Sequence, residues 1–202
     1  MTWSLRKLLQ ECVKHPKDYT PGHILLTILH IGEGSVSRVK LQRLLGLGEG
    51  SVKSMVKCMK KYGLISTSAS GSRLTGRGMG ILNHARLHVP ELRKTSLDYL
   101  SVGKANYTAV LRGVEPLDAL KIRDMAVRLG GSGAVLLSLS EGSLRIPYVA
   151  EDLRSVSVKD HEELSKMSLK NKDFILIVGG DDDRSALGAL GSILLELLMR
   201  QA

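Results

Sequence analysis

Hydrophobic positions recur with a helical period in three successive stretches of the first half of the chain. Thr20-Pro21 reads as a cap followed by proline at the first helical position, and Ile24, Leu25, Ile28 and Leu29 then fall at helical spacing. This predicts an amphipathic helix ending near Gly32 or Gly34. Ser37 is a cap for a second, short helix through Val39, Leu41, Leu44 and Leu45, stopped by Gly46. Gly46-Leu47-Gly48 then makes a tight turn into a third helix, from Glu49-Gly50-Ser51 to Tyr62. At about 100° per residue, Val52, Met55, Val56, Met59 and Tyr62 form an apolar stripe about 120° wide. Lys53, Ser54, Lys57, Lys60 and Lys61 occupy the opposite side. A helix, a glycine turn and a second helix with a cationic outer face is the helix-turn-helix pattern, whose second helix enters the major groove of DNA.

The pattern then changes period. Gly63-Leu-Ile-Ser-Thr67 and Ser72-Arg-Leu-Thr75 read as two short strands around a turn at Ser68 to Gly71, a hairpin in the position of a wing. Thr75 can cap a closing helix through Met79, Ile81 and Leu82, although Gly76, Gly78 and Gly80 each cost about 1 kcal/mol relative to alanine there. At the other end, Leu5, Leu8, Leu9, Cys12 and Val13 give residues 4 to 14 one apolar side, so a further amphipathic helix is expected.

Proline at position 90 interrupts residues 84 to 94, which read as the link between two modules. Beyond it come a strand at 106–112, a helix at 116–129, a strand at 134–139 and, after the turn Ser140-Glu141-Gly142, a hairpin partner at 143–146. A helix around 159–167 follows, then the unbroken apolar strand Phe174-Ile-Leu-Ile-Val178 and a strongly apolar helix at 184–199. The continuous run at 174–178 predicts a central strand covered on both faces. The expected class is α/β (α+β), with residues 1–90 forming a winged helix-turn-helix and 91–202 a mixed-sheet α/β sandwich. Gly188 and Gly191 in the last helix are expected to let another backbone approach, that of the sheet or, as the alternative, that of a second subunit.

Charge separates the halves. Residues 1 to 94 hold 16 Lys and Arg against five acids, a balance of +11, whereas the remainder is at −2 within a total of +9. A basic half joined to a neutral one is the footprint of a nucleic-acid module. Aromatic residues make up only 3%, which argues against single-strand binders that stack bases on exposed rings and leaves duplex DNA as the partner. The longest apolar run, Ile193 to Met199, contains Glu196 and is far shorter than the roughly 20 residues that span a bilayer, and polar residues break up the N-terminal segment. A cytoplasmic protein is expected. Two cysteines, Cys12 and Cys58, lack metal-site spacing and are expected to be reduced.

The stretch from Leu41 to Ile65, with the order helix, glycine turn, Glu-Gly-Ser-Val-Lys helix and Gly-Leu-Ile, followed by Ser72-Arg-Leu-Thr, resembles the winged-helix domain of bacterial and archaeal transcription regulators. The whole chain resembles an archaeal family that joins such a domain to a C-terminal α/β domain of unknown function. The resemblance implies that Ser51, Lys53, Ser54 and Lys57 face the groove. It implies that Lys60, Lys61, Arg38 and Lys40 hold phosphates, and that Ser70, Gly71 and Arg73 form the wing contact. Lysine rather than arginine dominates the helix, so bidentate guanine readout is limited and moderate sequence specificity is expected.

Catalytic candidates are thin. Val178-Gly-Gly-Asp-Asp-Asp-Arg-Ser has a strand, a glycine loop and a helix start, but three aspartates would repel phosphate and the lysine of a phosphate loop is missing. Acids at a helix start are favourable with its dipole, so no metal site is assigned to Asp181, Asp182 and Asp183. Gly130-Gly-Ser-Gly133 lies between a helix and a strand and reads as a cap and turn. His161 is the lone histidine beyond residue 94, with no cysteine there to pair it with. No cofactor and no enzymatic activity are expected. The reading is a DNA-binding transcription regulator, a homodimer whose second domain dimerises, binds a small effector, or both. An enzyme with a fused regulatory winged helix, or a winged-helix scaffold for proteins, are the alternatives.

Overall fold

Local signals start and stop the first helices where the chain supplies them. The computed structural model describes residues 18–201; the expected helix at 4–14 lies outside them. Helix α1 (Pro21–Ile31) begins after Thr20, whose backbone N–H donates to His23 Nδ1 at 3.1 Å, and ends at Gly32. Helix α2 (Arg38–Leu45) begins at Ser37, whose Oγ accepts the Lys40 N–H at 3.2 Å. It ends at Gly46, whose φ of 63° is the left-handed conformation that glycine adopts without cost. Helix α3 (Glu49–Lys61) buries Val52, Met55, Val56 and Met59. Tyr62 caps its C-terminus and is only half-buried.

Strands β1 (Ile65–Ser68) and β2 (Gly71–Leu74) form an antiparallel hairpin. Helix α4 (Gly76–His88) follows, its start held by Thr75 Oγ1, which accepts the Gly78 N–H and donates to Gly63 O at 2.6 Å. Of its three glycines only Gly78 is needed: a Cβ there would strike the Leu64 carbonyl, whereas Gly76 and Gly80 face nothing within 4 Å.

The chain divides into two compact units, Met1–Ala85 with Gly191–Ala202, and Arg86–Leu190. The second holds a five-stranded sheet of β3 (Glu91–Lys94), β4 (Ala105–Leu111), β5 (Gly133–Ser140), β6 (Ser143–Arg145) and β7 (Phe174–Gly180), in the order β3-β4-β7-β5-β6. Every pairing is antiparallel, which corrects the expected mixed sheet. Helix α5 (Ala119–Arg128) carries the chain from β4 to β5 across a gap one strand wide, and β7 fills that gap running the opposite way. The apolar run at 174–178 does form the central strand. The segment read as a link supplies the edge strand β3 instead, and the architecture is of the α+β class.

One side of this sheet packs on Leu97, Leu100, a short 3-10 turn at Leu153–Ser155 and α6 (Val158–Ser165). Two carboxylates are buried there with full partners. Asp160 accepts the N–H groups of Asp98 and Leu100 at 2.8 Å each, and Asp173 accepts two bonds from Arg112, at 3.0 and 2.7 Å. Helix α7 (Asp183–Arg200) ends the chain, and its residues from Gly191 belong to the first unit. A Cβ at Gly191 would lie 2.5 Å from Gly22 O, so this glycine serves a contact with α1 rather than with the sheet. Cys58 is disulfide-bonded, not reduced as expected; Cys12 lies outside the described residues. No described helix is long and apolar enough to cross a membrane.

Candidate nucleic-acid interface

The buried stripe of α3 fixes what its other side presents. With Val52, Met55, Val56 and Met59 inside, Lys53, Lys57, Lys60 and Lys61 are exposed, and Ser51 and Ser54 are half-buried at the margin of the stripe. Lys61 stands over the Tyr62 ring, 5.5 Å from its centroid. Arg38 and Lys40 are exposed on the first turns of α2.

The hairpin is joined to this helix pair through the backbone. Val36, just before α2, pairs with Ser72 in an isolated antiparallel bridge, with N–H···O distances of 3.0 and 2.9 Å, and Ser35 Oγ donates to Ser70 O at 2.8 Å. Arg73, beside the bridge, is exposed. Ser70 and Gly71 have structural duties as well. Ser70 Oγ bonds Ser68 Oγ at 2.8 Å, and Gly71, with φ of 119°, sits where a Cβ would come within 2.7 Å of Val36 O. The exposed cations thus sit on α2, on α3 and on a hairpin tied to the segment that starts α2.

Two features escape a reading of the sequence. Ser51 Oγ donates to Asp18 Oδ2 at 3.2 Å, which places an exposed carboxylate at the start of α3, beside Glu49. Arg77 Nη1 donates to Tyr62 O at 3.0 Å and so caps the end of the same helix from α4. Both pairs are distant in sequence, and neither residue type signals its partner.

In the second unit Asp182 and Asp183 go separate ways. Asp182 Oδ1 accepts the Ser185 N–H at 2.7 Å, and bonds from Ser185 hold its carboxyl below the usual range. Asp183 pairs with Lys94 at 2.6 Å. Burial first, and then Asp183, push the Tyr107 phenol above its ordinary pKa. Among the described residues no three His, Cys, Asp or Glu converge as a metal site. His161 Nδ1 lies 3.4 Å from Ser165 Oγ on its own helix.

Residues 102–197 match a family described as a domain of unknown function (DUF4443). A solved structure, the hypothetical protein PH0730 from Pyrococcus horikoshii OT3, is similar with a TM-score of 0.73 and 20% identity, over 91% of this chain and 95% of that one. That likeness is one of fold. No curated protein matches the chain.

Proposed function

We propose that the protein is a DNA-binding transcription regulator of the cytoplasm rather than an enzyme, with α2, α3 and the β1–β2 hairpin acting as a winged helix. The observation that carries this reading is the exposed row Lys53, Lys57, Lys60 and Lys61, opposite a fully buried stripe and on the helix that follows a glycine turn. Lys53 and Lys57, with Ser51 and Ser54, would meet base edges in the major groove. Lys60, Lys61, Arg38 and Lys40 would hold phosphates, and Arg73 with Ser70 would reach the adjoining backbone. The sheet unit would bring two copies together. A small effector is proposed for the same unit, in the cleft of about 490 Å³ beside α5, whose lining is apolar apart from Tyr99, Arg123 and Tyr148.

Binding to the duplex upstream of the protein's own gene, compared with an unrelated duplex of equal length at physiological salt, tests the reading. Preference for the upstream duplex supports a specific regulator, and the absence of binding to either duplex, even at low salt, removes the proposal.

A further inference from the structure

The cleft beside α5 has an apolar, buried interior in Leu100, Ala134 and Leu136. Its outer residues are apolar or aromatic and exposed: Tyr148 is 92% exposed, Val149 60%, Leu120 57% and Tyr99 54%. Four of the ten large exposed apolar side chains among the described residues therefore border this one cleft. Single exposed apolar residues need no explanation, whereas a gathered set marks a binding surface. The volume of about 490 Å³ is that of a small-molecule site.

Tyr148 is not placed there by packing. It holds the third position of a turn in which Pro147 is second and the Val149 N–H donates to Ile146 O at 3.1 Å. Its φ is 65°, and a turn with positive φ at that position normally takes glycine or asparagine. A ring so exposed returns no burial for the strain. A bulky residue kept in that conformation at the mouth of a cleft points to a duty toward what enters it.

Arg123 is the one charged residue in the lining. Among the described residues its partner is the adjacent Asp124, a single oxygen of which accepts from Nε at 3.3 Å and from Nη2 at 3.2 Å. Both side chains are well exposed, so this pair is weak, and a carboxylate that offers one oxygen to each nitrogen can displace it. A neutral ligand would leave the cation unused, and a sugar phosphate would leave the apolar lining and the two rings unused.

We infer that the cleft binds a small aromatic monocarboxylic acid, its ring against Tyr148 and Tyr99 over Ala134 and Leu136 and its carboxylate on Arg123. The inference rests on the reading of this cleft as an effector site and names the chemical class of the effector.

Calorimetric titration of the full chain, without DNA, provides the test. The probes are 2-naphthoate, indole-3-acetate and phenylacetate, each beside its uncharged amide. At least one acid is expected to saturate a single site per chain, and to bind about tenfold or more tighter than its amide, as a charge-assisted contact implies. Arg123→Gln is expected to abolish that preference and leave amide binding as it was. Tyr148→Gly suits the positive φ, so the thermal midpoint is expected to hold while acid and amide both bind about fivefold or more weakly. Backbone amide resonances of Leu120, Tyr148 and Val149 are expected to move during the titration. No saturation by any of the three acids at millimolar concentration overturns the inference. Equal binding of acid and amide also overturns it, although the effector cleft itself would stand. Binding that both variants leave unchanged puts the ligand elsewhere, and cleft resonances that move with protein concentration alone give the cleft to a second copy; either result overturns the inference. Because no DNA is present, a failure of duplex binding removes the regulator reading without altering these outcomes.

Discussion

Val36 and Ser72 exchange both backbone hydrogen bonds, at 3.0 and 2.9 Å, although 36 residues separate them. This bridge fixes the β1–β2 hairpin to the segment that starts α2, so hairpin and helix pair are positioned together. Gly71 lies beside it with a φ of 119°, and a Cβ there would come within 2.7 Å of Val36 O. Gly71→Ala is expected to destabilise the protein by about 1–3 kcal/mol through backbone strain and displacement of the bridge. Thermal unfolding measures that loss. The same variant is expected to bind duplex DNA more weakly, and unchanged stability would show that the packing around Gly71 is slack.

Asp18 receives the Ser51 hydroxyl at the start of α3. A carboxylate there opposes phosphate approach. Asp18→Asn keeps an acceptor for Ser51 and removes the charge, so DNA affinity is expected to rise about two- to fivefold, within the range of one exposed charge interaction. The gain should shrink as salt is added, because exposed charges are screened. Titrations at two salt concentrations read both effects, and a variant that binds no better places Asp18 outside the interface.

His30 couples the fold to pH. Its Nε2 is buried and, among the described residues, has no hydrogen-bond partner, and burial first, then the charge of Lys40, lower its pKa from 6.5. The unfolded chain then takes up the proton more readily than the folded one. The stability contributed by neutral His30 is complete above about pH 6.5 and is lost as pH falls below it, by at most about 1.4 kcal/mol per pH unit. His30→Gln should flatten urea-unfolding free energy between pH 7 and pH 5, and an unchanged slope would exonerate His30.

Asp173 is 2% exposed and accepts two bonds from Arg112 and one from the Lys170 N–H at 2.7 Å. The Asp173 bond raises the Arg112 pKa still further. Asp173→Ala leaves the guanidinium and the Lys170 amide without their acceptor, for an expected loss of about 3 kcal/mol in urea unfolding. A loss below about 1 kcal/mol would mean that water replaces the carboxylate.

The elements legible in the sequence are those with local causes. Thr20-Pro21, Ser37 and Gly46 act within one helical turn of themselves, and the burial of α3 follows from the spacing of Val52, Met55, Val56 and Met59. Phe174 to Val178 announced a central strand because only a strand covered on both faces can be apolar throughout. Glu91-Leu-Arg-Lys94 hid an edge strand because its residues are half-buried or exposed and follow a proline. Strand order and direction were hidden as well, since β7 enters between β4 and β5 long after both are formed in sequence. At the candidate interface the exposed lysines were legible from the opposite apolar stripe. Asp18 and the Val36–Ser72 bridge were not, because each depends on a partner more than 30 residues away.

Whether α3 meets DNA is read from the salt dependence of duplex binding for the wild-type chain and for the Lys60→Ala, Lys61→Ala double variant. Weaker binding is expected for the variant, with the slope of log affinity against log salt reduced by about one unit for each phosphate that the variant no longer neutralises. An affinity and a slope identical to those of the wild type would contradict it.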